Sequence, residues 1–146
     1  MKIWIDADGC PVVRLTVRIA KQFDIPCVTV CDTSHVFNDV GEVITVEKGS
    51  DSADYKIANL ISKGDIAVTQ DYGLAAMCLA RGAKAINQNG TVFSEYNIDG
   101  LLSSRAAAAK YRRAGGRTKG PKKRSPQDDA VFEEKLKELI KDATQG

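Results

Sequence analysis

Short apolar runs alternate along this chain with segments of helical period, and that alternation leaves few folds open. The runs are Ile3–Ile5, Cys27–Cys31, Glu42–Glu47, Ile66–Thr69 and Ala83–Asn87. Each is too short for a helix and apolar enough for a strand, and Val28, Thr29 and Val30 are β-branched. Between the first two, Val12, Leu15, Ile19, Ala20 and Phe23 fall near a 3.6-residue period, so a helix is expected over Val12–Phe23 with Pro11 in its first turn. Further helices are expected from Asp51 to about Ser62 and from Gly73 to Arg81. The resulting order, β-α-β-β-α-β-α-β, implies parallel pairs joined by helical crossovers. It predicts a three-layer α/β/α domain with a mainly parallel sheet of about five strands.

The rest of the chain extends that core. Thr91-Val92-Phe93 follows Asn89-Gly90 and reads as an edge hairpin or a loop. Asn97 to Arg113 reads as a helix that Asn97 caps, and Ala114 to Ser125 as a Gly- and Lys/Arg-rich flexible segment. Pro126 then opens a last amphipathic helix whose stripe of Val131, Phe132, Leu136, Leu139 and Ile140 should dock on the domain. With 146 residues, one domain spanning 1–146 is expected. No apolar run reaches the ~20 residues needed to span a bilayer, and Asp6 and Asp8 interrupt the apolar N-terminal stretch. A cytoplasmic protein is expected.

Charge divides the chain into three parts. Residues 1–99 carry 9 basic and 13 acidic side chains, residues 100–127 carry 9 basic and no acidic ones, and residues 128–146 carry 3 basic and 6 acidic. An acidic α/β core, a basic segment and an acidic closing helix suit a protein that meets a polyanion. Arg105, Arg112, Arg113, Arg117 and Lys119 are the candidate phosphate contacts of that segment, against the alternative of a merely solvated face. Tyr111 is its sole aromatic, so base stacking has little support. Cys10, Cys27, Cys31 and Cys78 form no C-x-x-C pair and His35 is the only histidine, which argues against zinc. Cys27 and Cys31 read as small buried hydrophobes. Cys10 lies near a helix N-terminus, where a thiolate is favoured, but no histidine base is near it in sequence.

Five aspartates stand where such a fold brings residues together. Asp6 and Asp8 follow the first strand, Asp71 follows the fourth, and Asp51 and Asp54 share one face of a helical first turn. Ligands of open α/β sheets bind outside the carboxyl ends of the strands, at a topological switch point. If strands one and four are neighbours, Asp6, Asp8 and Asp71 face one crevice, with the Gly49–Asp54 turn as its far wall. Crowded carboxylates need protons or a divalent cation, and oxygen donors without imidazole or thiolate point to Mg²⁺ or Mn²⁺. Such a site can activate water and stabilise an in-line phosphoryl displacement. Each aspartate also has a plainer reading as a helix cap, a partner of a helix dipole or a turn former.

The segments Asp6-Ala7-Asp8-Gly9-Cys10-Pro11-Val12, Gly49-Ser50-Asp51-Ser52-Ala53-Asp54, Val68-Thr69-Gln70-Asp71 with Leu74-Ala75-Ala76, Arg81 to Ile86, Tyr96-Asn97-Ile98 and Gly120-Pro121 together resemble the YaiI/YqxD family of bacterial proteins. That family is grouped with the PIN-like domains, many of which are metal-dependent nucleases. The resemblance implies a sheet of order 3-2-1-4-5 and a carboxylate metal site. The PIN-like acidic positions map onto Asp6, Asp51 or Asp54, and Asp71, while Asp8 belongs to the family's own motif.

Three functions compete. The first is a Mg²⁺- or Mn²⁺-dependent nuclease acting on RNA, with Asp6 and Asp71 as first ligands, Asp8, Asp51 and Asp54 binding a second ion or orienting water, and Lys56 on the scissile phosphate. The second is a phosphatase, because Asp6-x-Asp8-Gly9 resembles the opening motif of the haloacid dehalogenases, with Asp6 as nucleophile and Asp8 as general acid. Cys10 departs from that motif, and the Gly49–Asp54 turn comes too early for it. The third is a non-catalytic RNA- or ribosome-binding module.

Overall fold

A computed structural model describes residues 1–33, 37–47, 52–98, 100 and 123–145, with the backbone alone for 52–54 and 145. The elements run β1 (Ile3–Asp6), α1 (Val13–Gln22), β2 (Cys27–Asp32), β3 (Glu42–Val46), α2 (Ser52–Leu60), β4 (Ile66–Val68), α3 (Tyr72–Ala80), β5 (Lys84–Ile86) and α4 (Pro126–Gln145). The five strands form one sheet in the order β3-β2-β1-β4-β5, and every neighbouring pair is parallel. The α/β fold expected from the sequence pattern and the strand order implied by the resemblance are what the chain adopts.

Alternation along the strands assigns the two faces. Ile3 and Ile5 point to one side, where α1 supplies Val13, Val17 and Ala20 and α4 supplies Phe132, Leu136, Leu139 and Ile140. Trp4, Val28, Val30, Ala67 and Ala85 point to the other, where Ile57 and Ala58 of α2 and Leu74, Ala75 and Cys78 of α3 cover them. The docking stripe expected of the last helix is thus the part of it that packs, apart from Val131, which stays exposed. Of the helices inside the β-α alternation, α1 alone lies on the first face. Phe132, Leu136, Leu139 and Ile140 of α4 share one buried cluster with Ile66, Val68 and Ile86 of the β4–β5 half of that face.

Local details differ from the sequence expectations for identifiable reasons. α1 begins at Val13, so Pro11 sits in the preceding turn and not inside the helix. The helix expected to start at Asn97 starts one turn earlier. Ser94 Oγ accepts from Asn97 N (3.3 Å) and Asn97 Oδ1 accepts from Ser94 N (2.9 Å), a reciprocal cap that places Asn97 within the first turn. Residue 99 and residues 101–122, the remainder of that expected helix and most of the basic segment, lie outside the described residues. Val92 bridges Ile86 in antiparallel fashion, so the Thr91–Phe93 run does return along β5.

The amino-terminal end of the sheet is fastened by one buried carboxylate. Asp65 accepts from Lys2 N at 3.0 Å, Trp4 Nε1 at 3.1 Å and Ser62 N at 2.9 Å. Three N–H donors satisfy a charge that would otherwise be costly at 6% exposure. The Asp65 carboxylate is thus committed to the fold, whereas Asp6, Asp8 and Asp71 lie at the carboxyl end.

Candidate functional site

β1 leads to Asp6 and β4 leads to Thr69, and the two strands are adjacent. The connection after β1 goes to β2 on one side, and the connection after β4 goes to β5 on the other. Their carboxyl ends therefore frame the switch point of the sheet. Thr69, 1% exposed, donates its hydroxyl to Asp6 Oδ2 at 2.8 Å and accepts from Asp71 N at 3.0 Å. One hydroxyl thereby links the two acidic strand ends. The Asp8-Gly9-Cys10 turn is held from the same side. Gly9 takes a positive φ of 73°, and its carbonyl accepts from Gln70 Nε2 at 2.7 Å. Asp8 Oδ1 accepts from Asp32 N at 3.3 Å, which ties the turn to the end of β2.

Electrostatics follow from that geometry. Asp6 is pushed up to about 6 from an ordinary 3.8, chiefly because burial disfavours its charge. The Thr69 hydroxyl pulls the other way, while the negative charges of Asp8 and Asp71 add to the rise. The aspartates expected to share a crevice are thus close enough to repel. They are not, however, drawn into a closed ligand set: among the described residues no three His, Cys, Asp or Glu side chains are grouped to hold a metal ion.

The plainer readings of the acids separate cleanly. Neither Asp6 nor Asp8 caps α1, whose N-terminus has no side-chain cap at all. Asp71 does cap α3, with Oδ1 accepting from Gly73 N at 2.7 Å and Leu74 N at 3.1 Å. Both bonds fall on Oδ1, and Oδ2 takes part in neither. Asp71 therefore combines a cap, ordinarily contributing about 1 kcal/mol, with a charge at the switch point. Asp54 lies in the first turn of α2, which enters from the carboxyl end of β3. Asp51 lies outside the described residues, as do Arg105, Arg112, Arg113, Arg117 and Lys119. Lys56 is exposed on α2.

The cysteines are free thiols. Burial pushes Cys10 up to about 11, opposite to the shift of a reactive thiolate, and Cys27 up to about 12. Arg124 belongs to the basic segment by sequence, but it is structurally engaged. Nε contacts Asp129 Oδ1 at 2.8 Å, Nη2 donates to Gln88 O at 2.8 Å, and Nη1 reaches Asn89 Oδ1 at 3.4 Å. It fastens the start of α4 to the loop after β5. Thr69 is the site residue that sequence reasoning missed; its signal was the position two residues before Asp71 on a strand already assigned.

The model of the YaiI/YqxD family, described as uncharacterised, matches residues 4–142. The chain belongs to the YaiI/YqxD family. Its relatives include a UPF0178 protein of Exiguobacterium sibiricum, 54% identical over 99% of both chains. Another, from Ruminiclostridium cellulolyticum, is 50% identical over 100% of this chain and 96% of its own. A third, from Clostridium acetobutylicum, is 44% identical over 96% and 97%. No solved structure matches the chain significantly. In this YaiI/YqxD protein no helix among the described residues is long and apolar enough to cross a membrane.

Proposed function

We propose that the carboxyl ends of β1 and β4 form the divalent-cation site of a phosphodiesterase that cleaves RNA. The observation that carries the reading is the half-buried Asp6 carboxyl, bonded to Thr69 and facing the charges of Asp8 and Asp71 at the sheet's switch point. A carboxylate held there at a cost to the fold is a mark of function more than of packing. The carboxylates of Asp6, Asp8 and Asp71 are hard oxygen donors, which suit Mg²⁺ or Mn²⁺ over zinc, and burial pushes the nearby Cys10 thiol away from the thiolate a soft metal would need. The open arrangement fits Mg²⁺ in particular, since that ion keeps several waters and takes only one or two carboxylates. Asp6 and Asp71 Oδ2 are the ligands of choice, with Asp8 and the α2 turn carrying Asp54 beside them. When bound, such an ion supplies Lewis-acid charge at a phosphoryl oxygen.

The chain's own groups then have defined tasks. Thr69 fixes the Asp6 carboxyl so that one oxygen is committed to its hydroxyl. The α3 N-terminus fixes Asp71 through its two N–H groups. Asp6, raised towards neutrality, is poised to take or return a proton near pH 6 when no cation is bound.

The test offers the full chain a labelled RNA with single-stranded and hairpin portions, and separately p-nitrophenyl phosphate, in Mg²⁺ or Mn²⁺. RNA cleavage that Asp6→Asn reduces at least a hundredfold is the expected result. Turnover of p-nitrophenyl phosphate without RNA cleavage would transfer Asp6 to the nucleophile role of a dehalogenase-type phosphatase. RNA binding with no turnover on either substrate would leave a non-catalytic module.

A further inference from the structure

The outward side of α1 carries charge that the reading of the acidic site does not use. Within Val13–Gln22 the exposed residues are Arg14, Arg18, Lys21 and Gln22, and the helix contains no acid. The three cations stand at i, i+4 and i+7, one above the other on a single face. Beside them the chain returns from β2 to β3. Phe37 and Val40 of this segment pack into the core next to α1, and β3 then starts with Glu42 in register with Val28. The Asn38–Asp39 turn thereby stands off the helix, with Asp39 at a positive φ of 61°. Between α1 and the turn lies an open groove of about 440 Å³, lined by Arg14, Val17, Arg18, Lys21, Gln22 and Asp39.

We propose that this groove is a binding track for a single-stranded RNA backbone, leading to the acidic strand ends. Four observations carry it. First, the cations are not neutralised: among the described residues none of the three forms an ion pair, and Asp39 is the one acid in the lining. Second, one of them is already placed, since Arg14 Nη1 donates to Asn38 O at 3.0 Å. Part of the ordering cost of that long side chain is thus met before any ligand arrives. Third, the charges form a line and not a cradle. Arg14 and Lys21 are about 10 Å apart along the helix axis, a line long enough to meet more than one phosphate of a polyanion. Fourth, the line has a direction. α1 follows the Asp8-Gly9-Cys10 turn, so Arg14 lies at the acidic end of the sheet and Lys21 nearer the amino-terminal end. Among the described lining residues Val17 is the one with an apolar side chain, and it is 5% exposed.

The track deepens the RNA reading of the acidic site and shares its substrate, yet it is tested without turnover. A fluorescein-labelled single-stranded RNA is titrated with the full chain in EDTA across a salt series, and binding is read by anisotropy. The test variant is Arg14→Gln/Arg18→Gln/Lys21→Gln. The control, Lys63→Gln/Lys84→Gln/Lys141→Gln, removes the same charge from exposed positions elsewhere. Loss of three phosphate contacts should flatten the log–log salt slope by about 2 and weaken binding at least about tenfold at low salt, with the control near wild type. All six positions are exposed and the tertiary bond lost, Arg14 to Asn38 O, lies at the surface, so the melting curves should stay within a few degrees of one another. A groove variant indistinguishable from wild type overturns the track, and so does a control that loses as much as the groove variant. If the expected pattern is seen while Mn²⁺ yields no cleavage, the track stands and the catalytic reading falls.

Discussion

Asp6→Asn is expected to raise the melting temperature of the metal-free protein at pH 7.5 and to leave it unchanged near pH 4. The carboxyl is raised in the folded state to about 6, above its ordinary 3.8. The folded protein therefore binds this proton more tightly than the unfolded chain does. Below about pH 4 both states hold the proton and Asp6 costs nothing. Between about pH 4 and 6 stability falls as pH rises, and above that the full penalty is in place. A rise from 3.8 to about 6 corresponds to about 3 kcal/mol, or roughly 6–12 °C for a chain of this size. Asparagine removes the charge and keeps an oxygen that can accept from Thr69, so the variant should show a flatter pH profile. Subtracting the two profiles isolates Asp6 from the other titrating groups. A variant that melts lower than wild type at pH 7.5 would contradict the account, because Asp6 would then be stabilising. Millimolar Mn²⁺ should raise the wild-type melting temperature and do little for Asp6→Asn, since filling the site offsets a repulsion that asparagine has already removed.

Phe132→Ala is expected to cost about 3–5 kcal/mol, a large part of the 5–15 kcal/mol by which domains are ordinarily stable. Phe132 is fully buried on α4, within the cluster that holds Ile66, Val68 and Ile86. Truncation leaves a cavity between a helix and a sheet that are far apart in sequence. Trp4, the sole tryptophan, lies on the opposite face of the sheet and reports global unfolding. Urea titration followed by its fluorescence should show a lower midpoint with an unchanged slope. An unchanged midpoint would mean that α4 is not part of the cooperative unit.

The parts of this structure that were legible in the sequence are the parts written in local pattern. Strand and helix periods, with the helix between β3 and β4, sufficed for a parallel sheet, while the place of β1 between β2 and β4 came with the family resemblance. Asp6 and Asp71 were legible because each follows a strand signal directly. What stayed hidden depends on partners distant in sequence. Asp65 gathers donors from Lys2, Trp4 and Ser62, and Thr69 meets Asp6 across a separation of 63 residues. No periodicity encodes such a contact. Asn97 was read as a cap because Asn favours that position, but Ser94 occupies it and Asn97 closes the box from within. The spacing of Arg14, Arg18 and Lys21 was visible throughout. Only the fold revealed that the Asn38–Asp39 turn makes a groove of it. Arg124 looked like one more cation of the basic segment, and its engagement with Asp129 and the loop after β5 is a tertiary fact.

The central claim is that Asp6 and Asp71 hold a divalent cation at the switch point of the sheet. Anomalous diffraction from a crystal soaked in manganese chloride tests it most directly. The account predicts one strong anomalous peak within coordination distance of an Asp6 oxygen and of Asp71 Oδ2, lost in crystals of Asp6→Asn. Manganese absent from this crevice in a well-ordered soaked crystal, or bound there equally in Asp6→Asn, would contradict it.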